Sequence, residues 1–434
     1  MSEVKPSDIE LVVDAYKQWI AWFEKAQRLN LRDFKRYMEP HFKRAGYRDV
    51  ELGRQNILLL TDGPVGDFIL TSPAIREVRR IYPQAHISLM VDPPNVNFAE
   101  NCPYVDEIII RARKPEPDFR QDALDIMPQL LRRRYDVVYS FKHFSDTLWL
   151  MYLSGARERV IFSFFSANEN EKEGKLSKYF DQLATNVLPV RRFGYHVLDC
   201  FLSVIDGTLH APVANRELEI WYTPKDFNVA KSFVGDLPRP LYALAMGARN
   251  AKRRYPPEKF AQLLKMILNE EPTAHFVILG GGESEVKSAQ ILKENLGEEI
   301  FEKHVLNLVN KTTFRESSVV SKFCDMYIGN NTGNMWGACT FKCPVLVAEC
   351  FPKDLDTGVE DVPRLFGPYH VPAVSVQPEH ALPECAENKP YYLYGCRADE
   401  PHCITQIEPA TLFRGFKLLK EKIAKKIVDT TYIS

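Results

Sequence analysis

Ile57-Leu58-Leu59-Leu60, followed by Thr61-Asp62-Gly63-Pro64-Val65-Gly66-Asp67, is the stretch on which the fold turns. Four apolar residues in a row suit a strand buried on both faces, as in a parallel sheet. The Gly/Pro turn stops that strand, and a helical pattern runs from about 67 to 81. Working outward, the same unit recurs. Residues 86–91, 107–110, 135–141 and 159–164 read as further strands, with helical segments between them such as 123–134. Strand-helix alternation predicts a parallel sheet covered on both faces.

The alternation pauses over 165–240, where 168–178 is polar and charged and reads as a surface loop. The run Asp236-Leu237-Pro238-Arg239-Pro240 reads as a linker. It then restarts, with strands at 242–246, 275–279, 326–328 and 345–348 and helices at 257–268, 283–296 and 314–323. Ahead of the first sheet, residues 1–50 read as a helical extension. Ser7 and Glu10 have capping-box spacing. Val12, Tyr16, Trp19, Phe23 and Ala26 fall on one face, a stripe for packing on the main body or on another subunit. A second short helix runs from 31 toward 38, ahead of Pro40. The segment 408–428 is again helical, with Leu412, Phe416, Leu419, Ile423 and Ile427 on one face. The division expected is a helical extension (1–50), a first Rossmann-like domain (51–235), a second (236–407) and a C-terminal helix (408–434).

Four loops follow strands and carry the chemistry. Gly66-Asp67 puts a carboxylate at the C-terminal rim of a parallel sheet, where ligands bind in open α/β folds. A helix cap accounts for the same residue. The loop has neither the G-x-G-x-x-G of a dinucleotide fold nor a Walker lysine. Gly247 through Pro256 holds Arg249, Lys252, Arg253 and Arg254, four cations in six residues. This suits either a solvated face or a phosphate site. Gly280-Gly281-Gly282 permits a tight turn with close ligand approach. Asn330-Asn331-Thr332-Gly333 opens a helix, where backbone amides can hold a diphosphate or simply cap the turn.

In order and spacing these loops resemble glycosyltransferase family 9, the heptosyltransferases of lipopolysaccharide core synthesis. The likeness lies in Gly66-Asp67, Thr71-Ser72-Pro73-Ala74-Ile75, Tyr82-Pro83 and Cys102-Pro103-Tyr104-Val105-Asp106-Glu107. It continues in Arg253-Arg254-Tyr255-Pro256, in Asn307-Leu308 through Glu316, and in Asn330 through Ala338. It covers roughly 55 to 415. It implies a GT-B fold, two Rossmann-like domains facing across a cleft, and inverting transfer without a catalytic metal. Asp67 matches the family's general base. Lys252, Arg253 and Arg254, with Thr332 and Gly333, match its diphosphate site. Gly247, Thr312 and Asn331 fall at the nucleoside and sugar, and Gly66 and His143 on the acceptor side. The donor implied is ADP-heptose, and the acceptor a glycolipid or glycan hydroxyl. Three positions depart from the pattern. Asn331 stands for an acid, Trp336 for a histidine and Tyr255 for a tryptophan.

Two alternatives stay open at this level. One is a protein O-heptosyltransferase carrying a structural iron or zinc at Cys385, Cys396 and Cys403, with Cys350 or His402 completing the ligands. Ordinary thiols account for the same residues, and Cys339 and Cys343 read as packed thiols. The other is a nucleotide-sugar-binding protein without turnover. His143 and His196 could touch an acceptor or be structural.

Lys plus Arg number 56 and Asp plus Glu 57 in 434 residues, a net charge of -1. That balance argues against a general nucleic-acid binder. At 45% hydrophobic the chain has material for large cores. Nine cysteines are too few for a disulfide scaffold. With no signal-like segment and no run of ~18 apolar residues, the expectation is a cytoplasmic protein. Six Lys/Arg between Arg414 and Lys426 suit a solvated face or peripheral contact with the inner membrane.

Overall fold

A computed structural model describes residues 4–26, 30–48, 56–61, 63–112, 119–141, 145–164, 179–190, 196–209, 212–354, 362–383 and 400–434. The chain forms two compact units. The first comprises Met1–Arg192 and Leu198–Arg216, the second Phe193–Val197 and Glu217–Ser434. The changeover lies at 216/217 rather than at 235/236, and the run 236–240 joins a helix to a strand inside the second unit.

The first unit is built on strands β1 (Asn56–Leu60), β2 (His86–Val91), β3 (Glu107–Ile110), β4 (Val137–Ser140), β5 (Glu158–Phe164) and β6 (Asn186–Val190). Their order is β3-β2-β1-β4-β5-β6, and every pairing is parallel. Leu58 lies opposite Ser88 on one side and Val138 on the other. A strand with neighbours on both edges and helices on both faces must be apolar throughout, and Ile57 to Leu60 are all buried.

The second unit repeats the plan with β7 (Leu241–Ala245), β8 (His275–Ile278), β9 (Val305–Asn307), β10 (Met326–Asn330), β11 (Val345–Ala348), β12 (Ala373–Val376) and β13 (Thr430–Ile433). The order is β13-β12-β11-β10-β7-β8-β9, again all parallel. In each sheet the first strand lies between the second and the fourth. The winding reverses there, at β1/β4 and at β7/β10, and helices diverge to leave the ligand crevice of a doubly wound fold.

The N-terminal hairpin packs on the first unit. Helix Pro6–Ala26 and helix Leu31–Arg44 bury Val12, Tyr16, Trp19, Phe34, Met38 and Phe42 in the same core as Trp149 and Tyr152. Phe34 stacks on Trp149 at 4.2 Å between centroids. The Trp149 indole donates to Tyr16 Oη at 2.7 Å, and that hydroxyl donates to Arg120 O at 2.7 Å. Two details differ from the sequence expectation. Helix 6–26 opens at Pro6, so Ser7 lies inside the first turn and is not the cap; proline's fixed φ suits that first position. Helix 31–44 runs through Pro40 instead of ending before it. Asn30 caps its start by accepting from Arg32 N and Asp33 N, and four buried apolar residues hold both sides of the proline.

Helices Val197–Leu209 and Pro224–Val234 occupy the stretch where the pattern pauses. The second has a Thr223/Asp226 capping box, and Asp226 also accepts from Arg315 at 3.0 Å. The C-terminal segment is not helix throughout. It runs Pro409–Ala424, turns at Lys426 (φ 54°), and ends as edge strand β13. Leu412, Phe413, Phe416 and Leu419 are buried in the second unit's core. The apolar face of this helix is therefore spent on the fold and is not offered to a lipid surface. Lys417, Lys420, Lys422 and Lys425 pair with Glu270, Glu271, Asp429 and Glu421.

Candidate active site

The first unit offers a carboxylate at the reversal of its sheet. Helix Val65–Ile81 begins after β1, with Pro64 as the flanking residue and no side-chain cap. Asp67 is thus the third helical residue, which removes the capping role the sequence allowed. It lies half-buried at a helix N-terminus, where exposed amides favour a negative charge. The turn that delivers it is held from the next strand's loop. Gly63 N donates to Asp92 Oδ2 at 2.8 Å, and Asn95 Nδ2 donates to Gly63 O at 2.9 Å. Gly63 has φ 128°, a conformation that glycine adopts without strain. Gly66 is buried beside Asp67. His143 and Asp62 lie outside the described residues.

The second unit gathers five loops on one rim, because all its strands are parallel and each loop leaves a C-terminal end. After β7 comes the basic loop. It is not a solvated run: Arg249 is exposed, but Lys252 is buried in the turn Ala251–Arg253. Arg254 Nε donates to Ala248 O at 2.8 Å. The Arg253 guanidinium lies 5.8 Å from the Phe351 ring centroid, and its buried Nε has no hydrogen-bond partner among the described residues.

Asn330, at the end of β10, fastens this loop. Its Oδ1 accepts from Tyr255 N at 3.0 Å and its Nδ2 donates to Met246 O at 2.6 Å. Tyr255 then plugs the core, donating from Oη to Ile407 O at 3.0 Å. The next residues, Asn331, Thr332 and Gly333, lead into helix Gly333–Thr340, whose first amides point to the rim. Asn331 Nδ2 donates to Glu349 Oε1 and to Phe366 O, each at 2.9 Å.

Between β8 and β9 the glycine turn is pinned by Asn310, whose Oδ1 accepts from Gly282 N at 2.8 Å. Thr312 lies in the loop after β9 with its hydroxyl 2.6 Å from that of Ser317. Glu285, in the first turn of helix Glu283–Leu296, folds back over Gly247. A methyl group at Gly247 would stand 2.0 Å from Glu285 Oε1. Sequence reading missed Glu285 and Glu349 and gave Asn330 no task. A carboxylate three residues past the last of three glycines was the available signal for the first. Nothing local marked the others.

Lys252, Arg253, Arg254, Gly247, Thr312, Asn331, Thr332 and Gly333 therefore share the rim of one sheet, while Asp67 and Gly66 share the rim of the other. A sequence profile of glycosyltransferase family 9 (heptosyltransferase) matches residues 126–347, just over half of the chain. The chain belongs to glycosyltransferase family 9.

Its fold is that of GT-B heptosyltransferases, with two Rossmann-like domains. A family 9 glycosyl transferase from Veillonella parvula superposes with a TM-score of 0.66 at 17% identity, over 86% of this chain and 99% of that one. An E. coli ADP-heptose lipopolysaccharide heptosyltransferase II gives 0.62 at 16%, over 85% and 99%. An E. coli heptosyltransferase solved with ADP gives 0.54 at 13%, over 85% and 98%. A curated Haemophilus influenzae protein, named as a glycosyltransferase candidate, is 24% identical over 106 residues, which span 24% of this chain and 30% of that protein.

Within this family 9 chain, Trp336 is buried and lies 5.5 Å from the His196 ring. His196 is packed rather than presented. Its Nε2 lies 3.0 Å from Gly367 O, and desolvation pushes its pKa down to about 4. Cys339 and Cys343 are buried thiols, with Cys343 beyond the helix end. Cys403 Sγ lies 3.4 Å from His402 Nδ1 and accepts from Leu382 N at 3.5 Å. Cys385 and Cys396 fall outside the described residues. Among the described residues no three His, Cys, Asp or Glu side chains are grouped to hold a metal.

Proposed function

We propose that this chain is an inverting glycosyltransferase that moves heptose from ADP-heptose to a hydroxyl of a lipopolysaccharide-core or related glycan. The observation that carries the reading is the assembly of buried and half-buried cations with a helix N-terminus at the β7/β10 reversal. A nucleoside diphosphate leaving group gains charge as the glycosidic bond breaks, and fixed cations and amides stabilise that charge. In this reading Lys252, Arg253 and Arg254 face the diphosphate, with the Thr332 and Gly333 amides. Gly247, Thr312 and Asn331 border the nucleoside and sugar. Glu285 suits ribose hydroxyls, the task an acid after the second strand performs in dinucleotide folds. Asp67 takes the proton from the acceptor hydroxyl as that oxygen attacks the anomeric carbon, and Gly66 lies on the acceptor side.

Family membership supports the reaction class, and the relative solved with ADP supports an adenine nucleotide. A thermal-shift series with ADP-, GDP- and UDP-sugars tests the donor, since a ligand bound by the native state raises the melting temperature by mass action. Stabilisation by ADP-sugars is expected. A response to UDP-sugars with none to ADP-sugars overturns the heptose assignment. No helix among the described residues is long and apolar enough to cross a membrane. Attachment to an anionic inner-membrane surface through 414–426 would rest on charge alone, so vesicle binding should vanish in high salt.

A further inference from the structure

Glu349 follows the last residue of β11 and is 1% exposed. Its amide donates to Val376 O at 2.8 Å, which ties this point of the rim to β12. Its carboxylate accepts from Asn331 Nδ2, the nitrogen that also donates to Phe366 O. Both partners are acceptors, so the amide has one orientation, nitrogen toward Glu349 and oxygen the other way. From the loop after β7, the charge of Arg253 favours the ionised carboxylate. Phe351, two residues past Glu349, lies against the Arg253 guanidinium. One buried acid thus touches the loop after β10 and feels the loop after β7, the two that flank the reversal of the sheet.

A buried carboxylate is costly, and a glutamine could accept the same hydrogen bond from Asn331. What glutamate adds is a charge that can change. We propose that Glu349 is a positioning residue of the donor site, which orients Asn331 and takes up a proton when the diphosphate of a nucleotide sugar binds beside Arg253. This rests on the reading of Arg253 and Asn331 as donor groups.

The argument is electrostatic. A bound pyrophosphate shares the Arg253 charge and brings negative charge of its own. Both effects disfavour the ionised carboxylate, so the proton comes from solvent and stays on Glu349 while the donor is bound. The other groups facing it do not titrate in the same range. They are the Asn331 amide, the Ser375 hydroxyl of β12, and the Tyr327 phenol of β10, whose pKa burial raises far above neutrality. Burial also pushes Glu349 itself up to about 7, where small changes in surroundings alter its protonation.

The test uses the full chain and three pyrophosphate diesters, ADP-glucose, UDP-glucose and GDP-mannose, which have no titration of their own near neutrality. With whichever binds, wild-type affinity should tighten about three- to tenfold from pH 8.5 to pH 6, a pKa change of up to one unit. Calorimetry near pH 7.5 in two buffers of different ionisation enthalpy should read net proton uptake. Glu349→Gln should bind with the wild-type low-pH affinity at every pH and take up no proton. Wild-type binding without a pH step or proton uptake overturns the proposal, as does a Glu349→Gln protein that keeps both. If the variant does not fold, proton uptake by the wild type alone decides. Absence of binding by all three diesters at any pH overturns the donor-site reading instead.

Discussion

Asp67, Asn330 and Gly247 each carry a distinct kind of consequence at the scale of one residue. Asp67→Asn keeps the shape of the turn and removes the base. Transfer should fall at least ~100-fold while donor binding, measured by calorimetry, is retained; a wild-type rate would show that another group takes the proton. Asn330→Ala leaves Tyr255 N–H and Met246 C=O without their buried partner. Unsatisfied buried groups cost about 1–3 kcal/mol each, so urea unfolding should show a loss of about 2–4 kcal/mol, and weaker donor binding with it. A loss below about 0.5 kcal/mol would mean that water replaces the amide. Gly247→Ala pushes a methyl group into Glu285, whose flexible end can swing away. The variant should fold with little loss but bind nucleotide sugars markedly less well, read by the same calorimetry. The sequence marked Asp67 and Gly247 because each follows a recognisable strand. It placed Asn330 in a loop motif but gave its side chain no task, since a buried amide is defined by what surrounds it.

At the scale of the element, the hairpin shows how packing overrides local preference. Pro40 lacks the N–H for a helical hydrogen bond and on its own ends helices. Here Met38 and Phe42 are buried on either side of it, and the helix continues to Arg44. Phe34→Ala removes the ring stacked on Trp149 and should destabilise the first unit by about 3–5 kcal/mol by urea unfolding, the usual range for a core aromatic. An exposed control such as Lys17→Ala should cost no more than about 0.5 kcal/mol. The long helices 257–270 and 283–296 were legible to within two residues, because their apolar spacing is sustained over four turns. Helix 224–234 was missed although Thr223, Pro224 and Asp226 announce its start. Strands β6, β9, β12 and β13 were missed because three to five residues carry too little period to separate strand from loop.

For the whole molecule, two buried groups set opposing pH dependences. Glu349 has its folded pKa raised to about 7, above its usual value, so the native state binds its proton first and loses stability as pH rises from about 4.5 to 7. His196, pushed down to about 4, acts the other way: the unfolded chain takes up the proton first, and stability falls as pH drops below about 6.5. Between pH 4.5 and 6.5 the two partly cancel. Glu349→Gln should therefore match the wild type in stability near pH 4.5 and exceed it by up to ~3 kcal/mol at pH 8. Equal stabilities at pH 8 would mean that Glu349 is ionised at no cost in the folded chain.

By itself the sequence determined that the chain is α/β with parallel sheets, that its candidate site residues lie in loops after strands, and that it resembles glycosyltransferase family 9. These follow from local periods and from motifs a few residues long. Tertiary structure alone decided which loops meet. β10 lies beside β7, some 80 residues earlier in the chain, because the order reverses at that strand. That pairing sets Asn330 under Tyr255, and the neighbouring β11 sets Glu349 against Asn331. Burial of a strand is written in its own residues. The identity of its neighbours depends on how the whole sheet pairs, and the charge balance of the rim depends on those neighbours.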